Sequence, residues 1–209
     1  MINSSLSAEY IEGEYRRRRE SALMPIAEAL RQHIESFLVG CPRIDRVSSR
    51  SKGVESFVAK AMKEEDGKRK YIDPFNEIQD QIGCRIVTFY LSDVVRIDKI
   101  IKKYFRTIEH RRHIPESVWK FGYFGYHHIL ILPNDVIDRK IDRKSVPSFF
   151  ELQIKTLFQH AWSEAEHDIG YKSGVESLDD DQKRRLAFTS AQAWGADDIF
   201  DKLFAEHNS

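Results

Sequence analysis

The sequence predicts an α+β fold in which a largely antiparallel sheet of about five strands is surrounded by helices. Short segments rich in β-branched and aromatic residues alternate with longer segments whose apolar residues recur every three or four positions. The chain has 209 residues and 41% hydrophobic content, which suffices for a buried core. We therefore expect a single domain over 1–209, with N-terminal helices at 8–38, a motif-bearing core at about 44–172 and C-terminal helices at 177–207.

In the N-terminal half, residues 8–38 are predicted to be helical because Leu23, Ile26, Leu30, Ile34 and Phe37 form one apolar stripe. Within that stripe, Pro25 indicates either a new helix or a kink. Residues 44–49 have strand composition, and 53–62 follow as a helix. Residues 63–70 contain no apolar side chain, which predicts a solvated loop.

In the C-terminal half, strands are predicted at 84–90, 106–114, 126–132 and 149–154. Asp93 is expected to cap the helix that follows the first of them. The last strand alternates, with Phe150, Leu152 and Ile154 on one face and Glu151 and Gln153 on the other. Helices follow at 156–171 and 177–207, the second with an acidic start that suits the helix dipole.

The charge composition excludes several classes of partner. Lys and Arg number 33 and so do Asp and Glu, so no global positive field favours DNA or an anionic membrane. No run of about 18 apolar residues predicts a membrane span, and the N-terminus is too polar for a signal peptide. Two cysteines, Cys41 and Cys84, make neither a disulfide scaffold nor a cysteine zinc site. These features predict a reduced, cytoplasmic enzyme.

Two acids stand apart from the solvated helix faces. Asp80 immediately precedes an apolar strand, and Glu151 lies inside a strand on its polar face. Carboxylates of this kind can hold Mg²⁺, which uses one or two of them together with substrate phosphates. The alternative is that each forms a salt bridge with a neighbouring Lys or Arg.

A basic stripe follows the first predicted strand. Lys52, Ser56 and Lys60 are four residues apart and so line one helix face, with no acid among them. An anion such as a triphosphate would balance this stripe. An ordinary solvated basic surface is the alternative.

Two further patterns have a structural and a functional interpretation. Gly122, Tyr123 and Gly125 precede a strand together with other aromatic residues, which suits either a ring that stacks on a nucleotide base or a turn with core aromatics. His160, Glu164, His167 and Tyr171 share one helix face, which we interpret as a hydrogen-bonded polar face beside the site rather than as a metal site. The sequence contains neither a P-loop nor a Rossmann fingerprint.

Four segments, in order, resemble the synthetase domain of the RelA/SpoT family in its single-domain form, the small alarmone synthetases. They are Arg50-Ser-Lys52-Gly-Val-Glu-Ser56-Phe-Val-Ala-Lys60, Asp80-Gln-Ile-Gly83-Cys-Arg85, Gly122-Tyr123-Phe-Gly-Tyr-His127 and Glu151-Leu-Gln153-Ile-Lys-Thr156. His167, Tyr171 and Lys172 resemble the family's closing motif. Together these matches span residues 50–172.

The resemblance implies a nucleotidyltransferase-like fold and a Mg²⁺-dependent transfer of pyrophosphate from ATP to the ribose 3′-OH of GDP or GTP, yielding (p)ppGpp and AMP. Carried over by position, Arg50 and Arg85 would sandwich the adenine, and Lys52, Ser56 and Lys60 would hold the ATP phosphates. Asp80 and Glu151 would bind Mg²⁺, and Glu151 would also take the 3′-OH proton. Tyr123 would stack on the acceptor base, and His127 and Gln153 would contact the acceptor or the transferred group.

Three positions depart from the family pattern: Phe121 replaces Asn, Gly125 replaces Ser and Lys155 replaces Arg. The first two lie where the acceptor would bind, so they leave the acceptor's identity open. One alternative is therefore a toxin of the same family that modifies the 3′ end of tRNA or uses adenosine nucleotides, accompanied by an antitoxin. Another is a degenerate member that only binds nucleotides, against which intact Arg50, Lys52, Asp80 and Glu151 argue. The C-terminal helices are expected either to cap the domain or to form a homo-oligomer interface.

Overall fold

The computed structural model describes residues 6–112, 121–122, 125–170 and 178–208. The helices are α1 (Ala8–Arg18), α2 (Met24–Phe37), α3 (Val54–Ala61), α4 (Pro74–Glu77), α5 (Leu91–Tyr104), α6 (Leu157–Gly170) and α7 (Asp180–His207). The strands are β1 (Ile44–Ser51), β2 (Glu64–Glu65), β3 (Lys68–Arg69), β4 (Ile82–Thr88), β5 (Thr107–Arg112), β6 (Tyr126–Ile131) and β7 (Phe149–Thr156).

Five strands form the main sheet in the order β1-β4-β7-β6-β5. Every neighbouring pair is antiparallel except β4 and β7, which run parallel with Gly83 opposite Glu151 and Arg85 opposite Gln153. Since a parallel pair needs a long crossover, these central strands are joined by the whole segment from α5 to β6. The predicted fold class, an α+β domain with a largely antiparallel five-stranded sheet, is confirmed.

The two faces of the sheet have different roles. Alternation along β7 sends Phe150, Leu152 and Ile154 into the core, where all three are fully buried. Helices α2 and α5 cover this apolar face, while α6 packs on the opposite face and α7 packs against α6. Glu151 and Gln153 therefore lie on the face that α6 only partly covers.

Helices α1 and α2 are separated by a π-helical turn at Arg19–Leu23. Pro25 lies in the first turn of α2. The widened turn thus joins the two helices just ahead of the proline, as the sequence predicted in outline. None of the described helices is both long and apolar enough to cross a membrane.

Two local predictions were wrong. Residues 63–70 form a hairpin of β2 and β3, turned by Asp66 and Gly67 at φ 52° and 72°. Consecutive positive φ values are what an Asp-Gly hairpin turn requires, so this dipeptide was the missed signal. Asp93 does not cap α5, because Tyr90 occupies the N-cap. Asp93 is instead buried in the first turn, where it accepts hydrogen bonds from Arg43 and Arg96.

Candidate active site

A cleft of about 570 Å³ opens on the polar face of the sheet. Its floor comes from β1, β4 and β7, one wall from the start of α3 and the other from α6. Most of the predicted site residues line it: Arg50, Lys52, Ser56, Asp80, Arg85, Glu151 and Gln153. The structure thus brings together residues that lie up to 103 positions apart in the chain.

Asp80 lies just before the start of β4 and is paired with two cations. Its Oδ2 accepts a hydrogen bond from Lys52 Nζ at 2.9 Å and lies 3.0 Å from Lys60 Nζ. Burial acts to raise the pKa of Asp80, but the two ammonium groups outweigh it, so the pKa lies below its ordinary value. Asp80 is therefore an anion at neutral pH.

These contacts correct one premise about the basic stripe. Lys52, Ser56 and Lys60 were predicted to share one helix face with no acid among them, but α3 begins at Val54, so Lys52 precedes the helix, and Asp80 lies between the two lysines. The acid comes from a different segment, 28 residues after Lys52, so helical spacing alone did not reveal it. The salt-bridge interpretation of Asp80 holds, and it coexists with a position in the cleft.

Glu151 is positioned by two polar neighbours. Its Oε1 lies 3.0 Å from Nδ1 of His127, and its Oε2 accepts a hydrogen bond from Gln153 Nε2 at 3.2 Å. Burial acts to raise the pKa of Glu151 and so does Asp80, but the hydrogen bonds from His127 and Gln153 keep the pKa below its ordinary value. A charged carboxylate is thereby held inside the cleft next to a second one.

The donor atoms fit a hard divalent cation. Oδ1 of Asp80 is buried and has no hydrogen-bond partner among the described residues, although Oδ2 has two cationic neighbours. An unpartnered buried carboxylate oxygen is costly unless a ligand satisfies it. Asp80 and Glu151 thus provide oxygen ligands of the type that Mg²⁺ uses.

Arg50 and Arg85 lie on adjacent antiparallel strands and point to the same face. Arg50 is opposite Gly83, two residues before Arg85, and such diagonal neighbours are about 7–8 Å apart. An aromatic ring that is in van der Waals contact on both faces needs about this separation between the two groups that enclose it. Arg85 Nη1 donates to Glu164 Oε1 at 2.6 Å and lies 3.0 Å from His160 Nδ1.

Helix α6 therefore supplies the polar face that the sequence predicted. His160 and Glu164 both contact Arg85, and His167 also lines the cleft. Tyr171, the fourth member of that face, lies outside the described residues, as does Tyr123, the predicted stacking ring. His127 is placed by its contact with Glu151.

Two residues take on importance that their spacing did not indicate. Gly83 lies between Arg50 and Glu151 in neighbouring strands, and an added β-carbon there would meet no atom within 4 Å. Lys155 is almost fully buried on the same face, and its Nζ donates to Ser163 Oγ at 3.0 Å. Burial, reinforced by the charge of Arg85, lowers the pKa of Lys155 to about 7. Both residues belong to quoted motifs, but their burial and surroundings depend on strand pairing.

The family model for the region found in RelA/SpoT proteins matches residues 49–176, which is more than half of the chain and includes every predicted site residue that lines the cleft. The chain belongs to the RelA/SpoT family. The resemblance stated from the four sequence segments is thereby confirmed.

Similarity to individual proteins supports the assignment of this chain to the RelA/SpoT family. The chain is 30% identical to the GTP pyrophosphokinase YjbM of Bacillus subtilis (strain 168) over 169 residues, which cover 78% of this chain and 73% of that protein. The crystal structure of small alarmone synthetase 1 from Bacillus subtilis superposes with a TM-score of 0.72 at 22% identity, covering 96% of this chain and 97% of the other. The structure of the same synthetase bound to its product pppGpp gives a TM-score of 0.72 at 21% identity, covering 94% and 95%.

The relatives place this RelA/SpoT chain among enzymes, as the sequence predicted, because YjbM is a GTP pyrophosphokinase. The solved structures confirm the fold. The roles of individual side chains in the cleft remain predictions.

Proposed function

We propose that this protein transfers the pyrophosphate of ATP to the ribose 3′-OH of GDP or GTP, releasing AMP and forming (p)ppGpp. The observation that carries the proposal is the pair of anionic carboxylates, Asp80 and Glu151, lining one cleft with Lys52, while Lys60 contacts Asp80. Phosphoryl-type transfer needs cations, a metal and accurate positioning more than covalent catalysis.

At the donor end, Arg50 and Arg85 would hold the adenine between their guanidinium planes, as their diagonal spacing permits. Lys52, Ser56 and Lys60 would bind the phosphate chain from the α3 side of the cleft. When ATP enters, the lysines can share their donors between Asp80 and the phosphates, since each ammonium group has three N–H bonds.

At the acceptor end, the nucleotide's 3′-oxygen attacks the β-phosphorus of ATP. The bond from that phosphorus to the bridging oxygen breaks, and AMP leaves with the electron pair. Glu151 takes the proton of the 3′-OH, with His127 and Gln153 holding its carboxylate in place. Bound by Asp80 and Glu151, Mg²⁺ would neutralise charge on the transferred phosphates.

The choice of GDP or GTP is supported by the relatives, since YjbM is a GTP pyrophosphokinase and small alarmone synthetase 1 of Bacillus subtilis has been crystallised with pppGpp. Tyr123 is the residue we propose to stack on the guanine, and His127 and Gln153 lie at the same end of the cleft as Glu151. We also propose a cytoplasmic location, where ATP and GTP are available.

The direct test is incubation of the purified protein with γ-³²P-ATP and Mg²⁺ in the presence of GDP, GTP, ADP or tRNA. The γ label travels with the β,γ-pyrophosphate, so the labelled product identifies the acceptor. We expect label on GDP and GTP. Glu151→Gln should abolish transfer without changing the melting temperature by more than a few degrees, because no apolar burial is lost. Glu9→Gln, which changes an exposed acid on α1, is the matched control and should retain full activity.

Repeating the assay over a salt series separates the toxin alternative from the alarmone synthetase. Binding to tRNA depends on several phosphate contacts and weakens steeply with salt, whereas binding of a single nucleotide changes little. Label that goes to tRNA in preference to GDP, and that falls steeply with salt, would contradict the proposed function. Removal of Mg²⁺ with EDTA should stop transfer to every acceptor.

A further inference from the structure

A second group of potential metal ligands lies on the sheet face opposite the cleft. His110 of β5 and His128 of β6 are directly paired across the two strands, and their rings are 4.6 Å apart. Asp98 of α5 lies over both of them. One ligand atom from each of the three residues lies within 4.8 Å of the other two.

The contacts within this group are close but leave ligand atoms unsatisfied. Nε2 of His128 is 2.9 Å from Oδ1 of Asp98, and Nε2 of His110 is 3.7 Å from the same oxygen. Apart from this contact with Asp98, the ring nitrogens of His128 have no hydrogen-bond partner among the described residues. His128 is fully buried, so its remaining nitrogen, Nδ1, is costly to leave without a ligand.

The chemical state of these side chains suits a metal. Burial lowers the pKa of His128 to about 4 despite the nearby Asp98, and burial also lowers the pKa of His110. Both imidazoles are therefore neutral at neutral pH, which is the form that coordinates a metal. The second oxygen of Asp98, Oδ2, accepts a hydrogen bond from Lys102 at 2.8 Å, which fixes the carboxylate with Oδ1 towards the histidines.

We propose that Asp98, His110 and His128 bind one Zn²⁺ ion on the core side of the sheet. Two imidazoles and one carboxylate are ligands that Zn²⁺ prefers, whereas Mg²⁺ takes oxygen ligands almost exclusively. This site is thus chemically distinct from the pair Asp80 and Glu151. His110 is partly exposed, so a water molecule can fill the fourth position.

Only modest movement is needed to form the site. Ligands of a tetrahedral zinc ion with bonds of about 2.1 Å are roughly 3.4 Å apart, so no separation within the group must contract by more than about 1.4 Å. His110 can supply this movement because it lies on edge strand β5 and its side chain is 31% exposed. The bound ion would link β5 and β6 to α5. His127 precedes His128 in β6, and its side chain contacts Glu151 on the opposite, cleft side of the sheet.

The test is Zn²⁺ titration of the full-length protein after removal of metals with EDTA, followed by calorimetry and by the visible absorption of Co²⁺ as a spectroscopic substitute. We expect one equivalent to bind and to raise the melting temperature. His110→Ala should weaken binding at least about tenfold, and Asp98→Asn, which keeps the shape of the side chain, should do the same. The control His207→Ala changes an exposed histidine on α7 and should bind zinc like the unmodified protein.

Two comparisons make the outcome decisive. Circular dichroism without metal must give the same spectrum for His110→Ala and the unmodified protein, so that loss of binding is not loss of fold. Glu151→Gln should retain the zinc equivalent, since it alters only the cleft. The proposal fails if the unmodified protein binds no zinc, if His110→Ala binds it equally well, or if Glu151→Gln removes it and thereby assigns the ion to the cleft.

Discussion

Lys52 and Lys60 contact the same oxygen of Asp80 from two directions, so one carboxylate organises both ammonium groups before any substrate arrives. Lys52 is further fixed through its backbone carbonyl, which accepts a hydrogen bond from the hydroxyl of the buried Tyr15. The ring of Tyr15 stacks on Phe57 of α3 with centroids 3.7 Å apart. The start of α3 is thereby held against α1, which limits how far these cations can move.

Removing either lysine should weaken the use of ATP. Lys52→Ala and Lys60→Ala each delete a charged contact worth ~1.5–3 kcal/mol, or roughly 10–100-fold in kcat/KM for ATP. Steady-state kinetics at varied ATP measures the effect, and Lys63→Ala, an exposed lysine just beyond α3, is the matched control. Unchanged kinetics in both variants would favour the solvated basic surface instead.

Gly83 allows a test that separates the site from stability. Because a β-carbon at this position meets no atom within 4 Å, Gly83→Val should fold normally while its side chain enters the cleft between Arg50 and Glu151. We expect kcat/KM to fall at least about tenfold, equivalent to ~1.4 kcal/mol, with little change in melting temperature.

A matched control for Gly83→Val is Gly13→Ala on α1, where an added β-carbon also meets nothing. It should retain activity. Full activity in Gly83→Val would mean that the floor of the cleft does not face the substrates.

At this scale the sequence allowed the identity of the cleft residues to be predicted, but not their partners. Glu151 and Gln153 could be assigned to one face because strand alternation is a local property. The contact of Asp80 with both lysines, and the meeting of Asp98 with His110 and His128, depend on how distant segments pack. Spacing within one element carries no information about such contacts.

Among the elements, α7 is fastened to the sheet by an acid that is almost completely buried. Asp197 accepts a hydrogen bond from Thr156 Oγ1 at 2.6 Å, at the end of β7. One turn further on, Asp201 accepts hydrogen bonds from the backbone N–H and hydroxyl of Ser92 at the start of α5. Near the C-terminal end of α7, Phe204 stacks on Tyr90, so α7 contacts the ends of several elements.

The attachment of α7 should depend on pH. Burial, helped by Asp201, raises the pKa of Asp197 from 3.8 to about 7 despite the hydrogen bond from Thr156. Between pH 4 and 7 Asp197 therefore binds more protons in the folded protein than in the unfolded chain, so its contribution to the free energy of unfolding falls as pH rises. Asp197→Asn removes this penalty and should stabilise the protein by roughly 1–3 kcal/mol at pH 8, with a smaller difference at pH 4.

Denaturant unfolding at a series of pH values measures that effect. The control is Asp198→Asn, which changes the adjacent acid that pairs with Lys202 outside the core. Its stability should follow the pH profile of the unmodified protein. A parallel profile for Asp197→Asn would show that Asp197 does not titrate as described.

Secondary structure was predictable wherever periodicity or turn chemistry is strong, as in α2, α5 and β7. The N-cap of α5 was predicted wrongly because Asp93 forms ion pairs with Arg43, 50 residues earlier, and this tertiary contact overrides its preference for an N-cap. The β2–β3 hairpin was not predicted because its exposed, charged residues gave no apolar pattern.

For the molecule as a whole, α7 carries several large apolar side chains that are exposed to solvent: Phe188, Trp194, Ile199, Phe200 and Leu203. A largely apolar groove of about 770 Å³ lies between α6 and α7. Apolar surface of this extent commonly marks an interface. We therefore predict that the protein forms a homo-oligomer through α7.

The change Ile199→Glu combined with Leu203→Glu places two charges one helical turn apart on this surface and should give a monomer of about 24.5 kDa in light scattering. The unmodified protein should have a multiple of that mass. Lys202→Gln, within the same turn, should leave the mass of the assembly unchanged. A 24.5 kDa particle for the unmodified protein at all concentrations would refute the prediction.

The alternation along β7 also disfavours a sheet in which β7 pairs in the wrong register. If β7 slipped by one residue against β4, Glu151 and Gln153 would enter the apolar layer beneath α2 and α5, and Leu152 and Ile154 would face water. Burying the carboxylate without its partners would cost several kcal/mol, in addition to the lost apolar burial. The residues that we propose for catalysis in the cleft therefore also help to select the correct strand register during folding, and a chain in the wrong register would lack both the proposed catalytic base, Glu151, and a stable core.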